Sequence, residues 1–199
     1  DLGAGKTAII IESIDRMAEW FDEIICISAF SSGLESNINP RTLLMTIAYK
    51  CNINVHEYET DIDLKNDVIN GLEGSQRRLL VIEDLNMLGI TDIVKSFLGE
   101  LPNNCKAIVT SSKSLELGGK QIQIGMLKQI DAIKLCYGYK KDLEQIDRLT
   151  HLTGGHPMAT KLAISQVASG ERTLDNVLKD IRKAKGDIID HIINSSMKL

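Results

Sequence analysis

No long run of lysine or arginine occurs in these 199 residues, and the formal net charge is −4. Without a basic stripe there is no electrostatic footprint for phosphodiester backbones, so direct nucleic-acid binding by this segment is not expected. No stretch is apolar enough for long enough to span a membrane, and no secretory leader is visible. The four cysteines, Cys26, Cys51, Cys105 and Cys136, form no C-x-x-C pair, and the four histidines show no ligand spacing. Disulfides and Cys/His metal sites are therefore disfavoured. Buried free thiols suit a reducing compartment, and the expected location is cytoplasmic. Internal repeats and low-complexity stretches are absent as well. What remains, 43% hydrophobic and 25% charged, is enough for a real core. It fits one larger domain, or one domain with a small helical companion.

The first residues, Asp1-Leu2-Gly3-Ala4-Gly5-Lys6-Thr7, are most of a phosphate-binding loop of pattern G-x-x-x-x-G-K-[ST]. The pattern's first glycine would precede Asp1. Glycines let backbone N–H groups approach a dense anion, and the following helix adds its positive N-terminal end. Lys6 suits the β- and γ-phosphates, and the Thr7 hydroxyl suits Mg²⁺. From Thr7 to Trp20 the pattern reads as a helix, with Ile9, Ile10, Ile14, Met17 and Ala18 on one side. The plain alternative is a Gly-rich turn before an ordinary helix.

A second motif answers the first. Arg77 to Asp84 reads RRLLVIED, a continuous apolar run ending in two acids. That is the pattern of a buried parallel strand whose carboxyl end carries chemistry. One acid there can hold the Mg²⁺ shell, and the next can orient an attacking water. The plain alternative is a core strand that meets solvent at Glu83. Arg77 and Arg78 read as solvated residues before the strand, and Trp20 and Phe21 as packing at a helix end.

Between and beyond these motifs the elements alternate as in a parallel α/β sheet. Strands are expected over 23–29 and 106–111, and a short one over 121–124. Helices are expected from Pro40 to Lys50, Asp63 to Leu72 and Thr91 to Leu101. Strand signals then stop. Helices follow over 131–139, 141–152, 156–168 and 173–183, punctuated by Gly154-Gly155 and Gly170. The expected division is a nucleotide-binding domain over 1–126, a helical subdomain over 127–185, and the start of a further subdomain over 186–199.

In this order the motifs resemble the NB-ARC type of STAND NTPase, an AAA+-related P-loop class. It includes the switch of plant disease-resistance proteins, apoptosome scaffolds and many bacterial regulators. Phe21 to Ser28 is similar to the family's strand after the P-loop helix, and Leu79 to Asp84 to its acid-ended strand. Ala107-Ile108-Val109-Thr110-Ser111-Ser112 resembles the sensor strand that ends in T-T-R. Gly155-His156-Pro157-Met158-Ala159 resembles the G-L-P-L-A motif, and Gln121 to Tyr137 the segment that links sheet to helices. The resemblance covers nearly the whole chain. It implies a P-loop NTPase sheet flanked by helices, followed by a small all-helical subdomain.

The function this resemblance implies is an ATP/ADP-dependent switch with slow ATP hydrolysis. Gly3, Ala4, Gly5 and Lys6 would hold phosphate, and Thr7 and Glu83 Mg²⁺. Asp84 would position the hydrolytic water, Thr110 and Ser111 would report on the γ-phosphate, and Pro157 would close the site from the helical side. Self-association through the NTPase module on activation is implied, with effector and sensor domains on other parts of the protein. Three departures stand out. Glu83-Asp84 replaces the usual Asp-Asp, Ser112 stands where the family has its sensor arginine, and the winged-helix subdomain lies outside this sequence. The resemblance also places the strand feeding the P-loop between the acid-bearing and sensor strands. A chain starting at Asp1 is then expected to leave a gap there and to bind ATP poorly. Two alternatives remain open: an AAA+-like motor remodelling a protein or DNA partner, and a degenerate interaction module that binds nucleotide weakly. A P-loop kinase lacks support, because no Arg-rich lid is present.

Overall fold

The computed structural model describes residues 3–28, 39–55, 60–87, 91–137, 143–170 and 172–183. The expected end of the first strand at 29, the reading over 186–199, and the ends of two helices at 139 and 141 lie outside them. The chain divides into two compact units. One is Thr7–Gln121, and the other combines Asp1–Lys6 with Ile122–Leu199.

The first unit is built on a parallel sheet of β1 (Glu23–Ser28), β2 (Arg78–Glu83) and β3 (Cys105–Val109), in that spatial order. The register pairs Glu23 with Arg78 and Ser28 with Glu83 on one side of β2, and Arg78 with Cys105 and Ile82 with Val109 on the other. Acid-ended β2 and β3 are therefore direct neighbours, and the expected gap between them is corrected. The physical reason is plain: β2 is apolar on both faces, and pairing with β3 satisfies backbone groups that would otherwise be stranded.

Helices α1 (Lys6–Met17), α2 (Pro40–Lys50), α3 (Asp61–Leu72) and α4 (Asp92–Gly99) flank this sheet. Alternation along β2 assigns the faces. Leu80 and Ile82 join Ile25 and Ile27 against Leu43, Leu44, Ile47, Leu64, Val68 and Phe97 of α2, α3 and α4. Leu79 and Val81 face the other way, against Ile10, Ile14 and Met17 of α1. β2 is buried on both faces: Leu80, Val81 and Ile82 are each 0% exposed. Each such side chain contributes roughly 1.5–3 kcal/mol by leaving water. The helix starts follow local chemistry. Asn39 accepts the Thr42 N–H at 2.9 Å ahead of Pro40, and Thr60 accepts the Asp63 N–H at 3.2 Å.

Four sequence expectations change here. Arg78 is not solvated but 8% exposed. Its guanidinium bonds Glu23 at 2.8 Å and the Leu72 carbonyl at 3.0 Å, because a charge opening a central strand must be paired. Trp20 does not pack: it is 64% exposed, while Phe21 beside it joins the α1 layer. Cys26 is exposed, unlike the other three thiols, since it points to the face of β1 opposite the buried Ile25 and Ile27. Finally, residues 121–124 are irregular, not a strand. That short stretch follows Gly118-Gly119, and its Ile122 stays exposed.

The second unit holds α5 (Gln129–Leu135), α6 (Leu143–Leu152), α7 (Pro157–Ala168) and α8 (Leu174–Lys183). Ile146, Leu149, Ala163, Ile164 and Leu178 form its core with Cys136. Helices are its only regular structure among the described residues. At Gly155, with φ +73°, a Cβ would lie 2.1 Å from the Leu127 carbonyl oxygen. Only glycine permits this approach, in which Leu127 N–H donates to the Gly155 carbonyl at 3.0 Å.

Candidate functional site

The acids sit at the carboxyl end of β2, where the ladder stops. Glu83 is the last strand residue and is half-buried. Asp84 then turns the chain into the left-handed region at φ +52°. Aspartate tolerates that region better than most side chains, at a cost of about 1 kcal/mol. Thr110 holds the turn. Its Oγ1 accepts the Asp84 N–H at 2.9 Å, its carbonyl accepts the Leu85 N–H at 2.9 Å, and its own N–H donates to the Ile82 carbonyl at 2.9 Å. Next along, the Ser112 N–H donates to Asn86 Oδ1 at 2.9 Å, and the Ser111 hydroxyl shares its proton between that oxygen at 3.0 Å and the Lys113 carbonyl at 2.6 Å.

Thr7 arrives from the first turn of α1. Its hydroxyl donates to Glu83 Oε2 at 2.7 Å, across 76 residues of sequence. This contact brings the end of the phosphate-loop motif to the acid-ended strand within one unit. Thr7, Glu83, Asp84, Thr110 and Ser111 are thus gathered there. The donor chemistry fits Mg²⁺, a hard cation that takes oxygen ligands and keeps several waters. Among the described residues no group of three or more His, Cys, Asp or Glu could hold a metal by itself. One hydroxyl and one carboxylate nevertheless suffice where phosphate oxygens and water complete the shell.

The remaining candidates lie in the other unit. Gly3 and Gly5 adopt φ +73° and +96°, which glycine alone accepts without strain. The Gly3 carbonyl accepts the Met158 N–H at 3.3 Å. A Cβ on Gly3 would stand 2.6 Å from Met158 Cβ, and one on Gly5 would stand 4.0 Å from Pro157 Cγ. Ala4 is buried. Gly3, Gly5 and Pro157 are therefore neighbours, in a segment that ends at Lys6, the first residue of α1.

Three residues with structural weight were not singled out from sequence as site residues. His156, which the sequence places at the start of the 156–168 helix, is 2% exposed and caps α7, its Nδ1 accepting the Ala159 N–H at 3.2 Å. The proline that follows it was the available signal, because proline favours the first position of a helix. Met158 had none, since its role comes from contact with Gly3. Asn86 had a weak one, as asparagine accepts backbone N–H groups in turns.

Residues 110–199 match the family model of an AAA-like domain. Thr110, Ser111 and Pro157 fall inside the match, while Gly3 to Thr7, Glu83 and Asp84 precede it. No curated protein matches the chain. The observed α/β architecture, a parallel sheet flanked by helices, is that of a P-loop NTPase-like fold. With the AAA-like match over its second part, the chain is similar to nucleotide-binding modules of the ATPase type.

Proposed function

We propose that this chain is the nucleotide-binding part of an ATP/ADP-dependent molecular switch of the NB-ARC/STAND type, acting in the cytoplasm. The observation that carries the reading is the 2.7 Å bond between the Thr7 hydroxyl and the Glu83 carboxylate. It joins a phosphate-loop residue to the acid end of a buried parallel strand, the pairing a Mg²⁺-nucleotide needs. Gly3, Ala4, Gly5 and Lys6 bind phosphate through backbone N–H groups and the ammonium. Thr7 and Glu83 would hold Mg²⁺, which neutralises phosphate charge when bound. Asp84 orients the hydrolytic water, Thr110 and Ser111 respond to the γ-phosphate, and Pro157 packs against the nucleotide. Slow turnover fits the Glu83-Asp84 order and Ser112 in place of an arginine. A nucleotide that favours one conformation shifts the population by its differential affinity, and association with further copies follows that shift. Signalling, defence or transcriptional control would be the output, through effector and sensor domains elsewhere in the protein.

Kinetics test this against a continuous motor. The switch predicts slow hydrolysis limited by the chemical step, with no initial burst of product, and a different assembly state in ATP than in ADP by light scattering. Sustained rapid hydrolysis with no change in assembly would refute it. A flat titration with both nucleotides would favour the interaction module.

A further inference from the structure

We infer that Asn86 is a positioning residue that locks the segment after β3 onto the acid turn after β2. This rests on the nucleotide reading above and adds a residue to it. The turn is held at three successive points. Asp84, in a left-handed conformation that costs free energy, gives its N–H to Thr110 Oγ1 at 2.9 Å. Leu85, fully buried, gives its N–H to the Thr110 carbonyl at 2.9 Å. Asn86 then reverses the direction of donation: its Oδ1 accepts the Ser112 N–H at 2.9 Å and shares the Ser111 hydroxyl proton, at 3.0 Å, with the Lys113 carbonyl at 2.6 Å.

The two segments are therefore tied from both sides. The Thr110 hydroxyl accepts from the acid turn through a lone pair, so its proton is left for another acceptor. A γ-phosphate oxygen drawing that proton would strengthen the bond from Asp84, since hydrogen bonds in a chain polarise one another. Asn86 fixes where Ser111 and Ser112 stand while this happens. Its part is indirect. It sets the alignment of the Asp84 carboxylate and the Thr110–Ser112 segment, and alignment is worth most in the transition state.

The test is steady-state ATP hydrolysis by the intact protein carrying Asn86→Ala or Asn86→Asp, with thermal unfolding followed alongside. Asn86→Ala removes the acceptor, while Asn86→Asp keeps it. We expect Asn86→Ala to lower kcat about tenfold, the size of one lost hydrogen bond, with KM for ATP within about twofold. Asn86→Asp should restore kcat to within about threefold of the parent. Equal kcat in Asn86→Ala and the parent would overturn the inference and leave the switch reading intact. So would a loss that Asn86→Asp fails to restore, or one that tracks the unfolded fraction. A parent protein that neither binds nor hydrolyses ATP would overturn both, and nucleotide titration of the parent distinguishes that case from the others.

Discussion

Cys26 stands apart from its three fellow thiols at the scale of single residues. Burial pushes the Cys51 and Cys105 thiols up to about 11 and raises that of Cys136. Cys26 is raised as well, first by partial burial and then by the Glu83 carboxylate, yet it is exposed. All four thiols are raised, and buried thiols are inert, so access decides which of them reacts. A thiol-specific chromophore should therefore modify one cysteine in the native protein and four after denaturation, with Cys26 identified by mass spectrometry. Asp22 offers a second check. Both guanidinium bonds from Arg77, at 2.7 and 3.2 Å, stabilise its carboxylate, with help from the Arg77 N–H, and lower its pKa to about 2. Its folded value thus lies below the unfolded one. The stabilisation is complete above the ordinary carboxylate range and is lost as pH falls toward about 2. Denaturant midpoints of the parent should drop more steeply than those of Asp22→Asn below about pH 4. Parallel curves would contradict this.

Backbone conformation and strand burial govern the elements. Gly155 and Gly154 adjoin, both with positive φ, yet only Gly155 has a backbone oxygen where a Cβ would go. Gly154→Ala should cost about 1 kcal/mol from conformation alone. Gly155→Ala should cost more than about 3 kcal/mol, because the α5 entry must move. Equal unfolding midpoints for the two variants would contradict that. In the sheet, Leu80→Ala should cost about 2–5 kcal/mol, the range for a cavity in a rigid core. The elements themselves were largely legible from the chain. The Arg78–Glu83 strand was visible as an unbroken apolar run, and the Pro40 helix from its proline and periodicity. Thr110 and Ser111, by contrast, lie beyond β3, which stops at Val109. Their hydrogen bonds come from a turn 26 residues away, which no local pattern encodes. Arg78 looked solvated because its partner Glu23 is brought to it only by strand pairing. The burial of His156 was not legible for a similar reason: a cap's surroundings depend on how its helix packs.

For the whole molecule, the phosphate-loop motif is shared between two compact units, with Gly3 to Lys6 in one and Thr7 in the other. Among the described residues no helix is long and apolar enough to cross a membrane. Motif, acid strand and AAA-like match each address a different stretch of chain, and nucleotide binding is the property that unites them. Its test is calorimetric titration of the intact protein with Mg-ATP and Mg-ADP, set beside Lys6→Ala. Removing the ammonium should weaken ATP binding at least about tenfold, the loss expected for one charge-assisted contact to phosphate. Tight ATP binding by Lys6→Ala, at the parent's affinity, would contradict the central claim.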